Sequence, residues 1–121
     1  MNYTSIEQSK KLLELGLSPE SADMYYLIIA EDEYSEYPNV GNKEQIAEEF
    51  PCWSVGALRQ LFPVGIKFNE ETYLFGDNNR LTKDFAYYYS INDNACVQFT
   101  GSDIECAYNM IVWLLENNYI N

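Results

Sequence analysis

Phe85-Ala86-Tyr87-Tyr88-Tyr89-Ser90-Ile91-Asn92-Asp93-Asn94-Ala95-Cys96-Val97-Gln98-Phe99-Thr100 is the stretch whose reading decides the fold. Apolar side chains recur at every second position: Phe85, Tyr87, Tyr89 and Ile91, then Ala95, Val97 and Phe99. That period belongs to strands with one buried face. Asn92-Asp93-Asn94 interrupts it with residues that tolerate a tight turn. A three-residue loop pairs position 91 with 95, 89 with 97 and 87 with 99, and puts every one of those apolar residues on one face. A two-residue loop would oppose the two faces. The longer loop calls for a left-handed residue at its end, which Asn94 can supply.

Downstream the period changes from two to that of a helix. Ser102 and Glu105 have capping-box spacing, and the helix is expected from Asp103 to about Asn117. Ile104, Ala107, Tyr108, Ile111, Leu114 and Leu115 fill one stripe. Cys106, Met110 and Trp113 fill another on nearly the opposite side. A helix apolar on two sides sits between layers, and the N-terminal helices are the expected cover for the second stripe.

Upstream, Ile66–Phe68 and Thr72–Phe75 read as a short hairpin. In Pro51-Cys52-Trp53-Ser54-Val55-Gly56-Ala57-Leu58, Ser54 is the natural N-cap, with Trp53 and Leu58 at the positions of a hydrophobic staple. Leu58, Leu61 and Phe62 give the inner face, and Pro63 stops the helix. Asn42 and Gln45 can cap a brief helix ending before Pro51, with Ile46, Ala47 and Phe50 inward. Glu31 to Gly41 has no period and two breakers, so it reads as a loop. Met24–Ile29 is a continuous apolar run that is strand or helix; periodicity does not decide. At the start, Thr4 and Glu7 have capping-box spacing, the helix runs to about Leu15, and Gly16 ends it. Ser18-Pro19 opens a second, short helix. The expected architecture is therefore α+β: one domain over residues 1–121, a small antiparallel meander of about three to four strands packed against a long C-terminal helix, with N-terminal helices.

The bulk composition excludes more than it proposes. The chain has no histidine, and its nineteen acidic residues against seven basic ones give a net charge of −12. Without imidazole, the commonest general base and transition-metal ligand are missing. The negative surface repels nucleic acid and anionic membranes. The odd number of cysteines, Cys52, Cys96 and Cys106, suits free thiols in a reducing compartment. The polar opening Met1-Asn2-Tyr3-Thr4-Ser5 has no signal-peptide character. The expected setting is cytoplasmic, with no membrane association.

Three stretches, Met1–Tyr26, the Pro51-Cys52-Trp53-Ser54 helix start with Ala57-Leu58, and Ala107–Ile120, resemble a group of small uncharacterised proteins from gut anaerobes and their phages or mobile elements. The resemblance covers about half the chain. It implies a prokaryotic cytoplasmic setting and an accessory, mobile-element role, and carries over no catalytic or binding residue.

Candidate chemistry is sparse. Glu31, Asp32, Glu33 and Glu36 invite a calcium reading, but EF-hand spacing is absent and a solvated loop accounts for them. A catalytic cysteine needs a base, and scattered thiols without histidine do not build a zinc site. Cys52, just before a helix start, is the one thiol worth a reactivity test; a small buried hydrophobe is the plainer reading. Glu48-Glu49 and Glu70-Glu71 are adjacent and so diverge. Stacking of bases on Tyr88 would need a cationic groove; Lys67, Arg80 and Lys83 do not supply one. Phosphate-binding loops are absent, and neither metal nor cofactor is expected.

The function these features favour is non-catalytic: an interaction or regulatory protein that meets a protein partner through an aromatic and acidic surface. The candidate contact residues are Trp113, Met110, Tyr88 and Trp53, with Glu31, Asp32, Glu33 and Glu36 for charge. The expected oligomeric state is monomer or weak homodimer, without direct nucleic-acid binding. The alternative is an acidic DNA mimic that occupies the basic groove of a nucleic-acid enzyme; residues 31–49 hold seven acids and one lysine, a local charge of −6. A third reading is a small enzyme working with carboxylates alone.

Overall fold

In the computed structural model, which describes residues 2–40, 49–79 and 84–120, the chain runs α1 (Ile6–Glu14), β1 (Met24–Ala30), β2 (Glu33–Tyr34), β3 (Asn39–Val40), β4 (Glu49–Cys52), α2 (Val55–Arg59), β5 (Gly65–Phe68), β6 (Glu71–Asn79), β7 (Phe85–Ile91), β8 (Asn94–Gly101) and α3 (Asp103–Glu116). The chain is α+β. Strands β5 to β8 form an antiparallel meander in chain order, and β1 pairs with β2, β3 and β4 in a second antiparallel sheet. No described helix is long and apolar enough to cross a membrane.

The deciding stretch has the expected inner pairs, Tyr87 opposite Phe99 and Tyr89 opposite Val97. The loop is a correction. It has two residues, Asn92 and Asp93, with φ of 49° and 65°, so Ile91 faces Asn94 and Ser90 faces Ala95. Left-handed conformation at both central positions marks the turn whose twist matches that of the strands. A bulge reconciles this with the buried face: Cys96 is the extra residue between the Tyr89 and Ser90 pairs, and it re-phases β8 by one position. Ala95 is thereby exposed on the outer side, while Cys96 packs against the core. The Asn69-Glu70 link between β5 and β6 is left-handed at both positions too.

Helix α3 is capped by Ser102, whose Oγ accepts from Glu105 N at 3.2 Å. The second stripe is covered, and the cover differs from the expected one. Cys106 Sγ donates to the carbonyls of Phe85 and Phe99 at 3.5 and 3.4 Å, so this side lies on β7 and β8. An apolar sheet face opposite a helix is the nearest large surface that can be buried. Helix α2 also packs on α3, which puts α3 between layers. Leu12, Trp53, Leu58, Tyr87, Met110 and Ile111 meet in the common core.

The N-terminal half departs more from the sequence pattern. The α1 cap is Ser5, with the reciprocal bond from Gln8, not Thr4 with Glu7. Tertiary contacts claim Thr4: its Oγ1 accepts from Trp53 N at 3.0 Å and bonds Ser9 Oγ at 2.8 Å. Gly16 ends the helix at φ +96°, as expected. Ser18 caps a single 3-10 turn, Pro19–Ser21. Met24–Ala30 is a strand, and the stretch read as a loop contributes β2 and β3 to its sheet. The brief helix expected from Asn42, with Ile46 and Ala47, lies outside the described residues. Phe50, assigned to it, is in β4 opposite Tyr26; strand pairing with β1 overrides a helix signal only one turn long. Ser54 caps α2 through Ala57 N at 3.1 Å, with Trp53 and Leu58 both buried.

Candidate functional site

Strand β1 begins buried and ends exposed, and this gradient builds the site. Tyr26, in its middle, points inward and donates to the Thr4 carbonyl at 2.8 Å. Cys52 Sγ donates to the same carbonyl at 3.3 Å. Thr4, Ser9, Tyr26 and Cys52 thus form a buried polar knot that pins the chain start to α1, β1 and β4. Burial pushes the Cys52 thiol above its ordinary range, outweighing the bonds from Thr4 and Tyr26 that lower it. A raised pKa keeps the Cys52 sulfur as the thiol, and the nucleophilic form is the thiolate.

Beyond the knot, β1 runs out of cover. Ile29 is 65% exposed, and Glu31-Asp32 form a tight link to β2, with Asp32 left-handed. Ser35 then fixes the path of the chain after β2. Its N–H donates to the Leu27 carbonyl at 2.9 Å, and its Oγ accepts from Leu27 N at 3.0 Å. The same Oγ donates to the Tyr37 carbonyl at 3.0 Å. One serine therefore straps the returning chain to β1 and holds Tyr37 outward, 67% exposed. Asn39 and Val40 rejoin β1 opposite Tyr25 and Met24, with Val40 80% exposed. On the inner side, Tyr34 packs edge-on against Phe50, with Lys10 Nζ 5.3 Å above its ring.

The result is a largely exposed segment, residues 29–40, which we call the ridge. Ile29, Tyr37 and Val40 are three of the five exposed large apolar side chains among the described residues. The carboxylates of Glu31, Asp32, Glu33 and Glu36, all exposed, lie between Ile29 and Tyr37 in sequence. Large apolar side chains therefore stand in solvent within a few residues of four carboxylates. Glu49, on β4 opposite Leu27, adds a buried Oε1 without a hydrogen-bond partner.

The other contact candidates are distributed differently. Trp53 and Met110 are fully buried, which corrects their assignment to a surface. Trp53 Nε1 donates to Ser21 Oγ at 2.9 Å, and Met110 lies in the α3 core stripe. Both are large apolar groups packed into the common core, which claims them. Trp113 is half-buried under the Tyr119 ring, stacked at 5.4 Å, and Tyr119 Oη is tied to the Lys67 carbonyl at 2.8 Å. Tyr88 lies across Gly76 on the outer face of the β5–β8 sheet. A Cβ at Gly76 would meet its Cε1 at 2.6 Å. Of the eight candidates, only the four carboxylates belong to the segment 29–40. Glu44 and Glu48 lie outside the described residues.

Sequence reasoning missed Ile29, which sits in an apolar run expected to be strand or helix, and Tyr37 and Val40, which sit in a tract expected to be a loop. Large apolar residues on either side of a run of carboxylates were the available signal. It also missed a cluster with no local signature. Arg59, at the end of α2, holds Asp77 Oδ2 at 3.0 Å and donates to Tyr87 Oη at 3.4 Å. Its guanidinium sits 5.2 Å from the Tyr87 ring centre and 5.8 Å from that of Phe75. Tyr87 donates its hydroxyl proton to Asp103. Burial first, then Asp103, raises the Tyr87 pKa far above the tyrosine range. A phenol held protonated and an arginine already paired make a rivet between α2, β6, β7 and α3, with no group free for acid–base work.

Comparison with known proteins finds no family model, curated protein or solved structure that matches the chain.

Proposed function

We propose that the chain is a non-catalytic interaction protein that binds a basic protein partner through the β1–β3 ridge. The observation that carries this reading is the concentration of Ile29, Tyr37 and Val40, all exposed, among the carboxylates of Glu31, Asp32, Glu33 and Glu36. The apolar groups gain by leaving water, and the acids steer a cationic surface towards them. A mimic of nucleic acid would present a polyanion; side chains that exclude water between the charges fit a folded protein better.

The test is affinity capture from the producing cell at low and high salt, with the wild-type chain beside Tyr37→Ala and an Ile29→Ala/Tyr37→Ala pair. Partner recovery should persist at high salt and drop with each substitution, since alanine replaces the aromatic anchor. If the partner binds the variants as tightly as the wild type, the ridge is not its site. Capture that vanishes with salt yet ignores Tyr37 would favour the mimic.

A further inference from the structure

Strand β8 is the last strand of its sheet, and among the described residues no backbone group outside β7 bonds to it. Eight residues long, it contains no charged residue and no proline, two of the devices that stop an edge from recruiting another strand. A third device, the bulge at Cys96, is confined to one end and leaves Val97–Thr100 in regular register. Acidic groups mark both ends. One depression of about 230 Å³ is lined by Asp84, Phe85, Thr100 and Gly101. Glu105 stands beside it, its Oε2 3.2 Å from where a side chain on Gly101 would begin. A shallow depression of about 350 Å³ on the outer face reaches from Tyr88 and Gln98 to Asp93, in the turn before β8.

We infer that the β8 edge is a second docking surface, distinct from the ridge, which accepts an extended protein segment by strand addition. Backbone hydrogen bonds to the open edge supply affinity, and the depression at Thr100 and Gly101 takes a side chain at one end. Charge selects the occupant. A second copy of this chain, pairing antiparallel about a two-fold axis, would bring Asp93 of one molecule towards Asp84 and Glu105 of the other, with each molecule at −12. Like charges in that position oppose pairing. A segment neutral in its centre with lysine or arginine at both ends meets the edge without that conflict.

A random twelve-residue peptide library displayed on phage, panned on the intact chain, selects the occupant directly. Enriched peptides should carry basic residues flanking an alternating neutral centre. With such a synthetic peptide bound, amide hydrogen exchange read by NMR should slow at β8 and leave residues 29–40 unchanged. An Asp84→Asn/Asp93→Asn pair should weaken it about tenfold. Failure to enrich any peptide, or enriched peptides that bind without protecting β8 amides, overturns the inference. Peptides that protect only the β1–β3 ridge also overturn it while supporting the ridge as a protein-binding site. A concentration-dependent dimer in sedimentation, with β8 amides protected, would overturn the choice of occupant and assign the edge to a second copy.

Discussion

Tyr87, in the β5–β8 sheet, and Tyr37, in the link between β2 and β3, are the same residue put to opposite uses. Tyr87 is fully buried in the β5–β8 sheet, its hydroxyl shared between Asp103 and Arg59 and its ring edge-on to Phe62 and Phe75. Tyr37 stands in solvent beside β1. The difference lies in what faces each strand. A tyrosine can be buried only where a partner awaits its hydroxyl, since an unpaired buried hydroxyl is costly. The large sheet has α2, α3 and an arginine rivet on its inner face. The small sheet is pinned to α1 at one end by the Thr4 knot, and its other end is left uncovered. Buried contacts are therefore concentrated in one half and exposed large apolar side chains in the other.

The largest test of that division is Trp53→Ala. Trp53 is fully buried between the two sheets' supports, bonded through its main chain to Thr4 and through its indole to Ser21. Its removal should cost about 3–5 kcal/mol in urea unfolding. A loss below about 1 kcal/mol would show that the halves do not depend on this junction.

Tyr87→Phe comes next. It leaves Asp103 without its phenol donor and removes a partner of Arg59, so about 1–3 kcal/mol should be lost. The pH dependence sharpens this. Burial raises the pKa of Tyr26, Tyr87 and Tyr89 in the fold above the ordinary value of about 10. The unfolded chain then releases these protons first. The stability they contribute is complete below pH 10 and falls as pH rises beyond it. Unfolding midpoints measured across that range should decline less steeply for Tyr87→Phe than for the wild type. An equal slope would show that this hydroxyl is not shielded.

Gly76→Ala probes the outer face of the large sheet. Its added methyl would press into the Tyr88 ring, for a cost of about 1–3 kcal/mol. In a Tyr88→Ala background the cost should shrink, and a double-mutant cycle measures the coupling. Additive losses would mean that Tyr88 does not lie on Gly76.

The smallest effect belongs to the ridge. Tyr37→Ala should change stability by no more than about 0.5 kcal/mol, as is usual for an exposed side chain, while partner recovery falls. A large stability loss would erase the contrast between the halves, because Tyr37 would then be a structural residue.

What could be read along the chain was whatever near neighbours settle. Alternation in Phe85–Phe99 gave the inner pairs of β7 and β8, Ser54 and Ser102 marked two helix starts, Gly16 ended the first helix, and the composition gave a strongly negative net charge. Each of these rests on contacts a few residues apart or on a sum over the composition. The structure decided the rest, because it turns on partners far away in sequence. Trp53, forty-nine residues distant, took Thr4 from its capping role. A bulge at Cys96 reconciled a two-residue turn with a face already committed to α3. The cover supplied by β7 and β8 put Cys106 inside. Burial belongs to pairs of surfaces, so no local pattern could have said that Tyr87 would be sealed in and Tyr37 left in water.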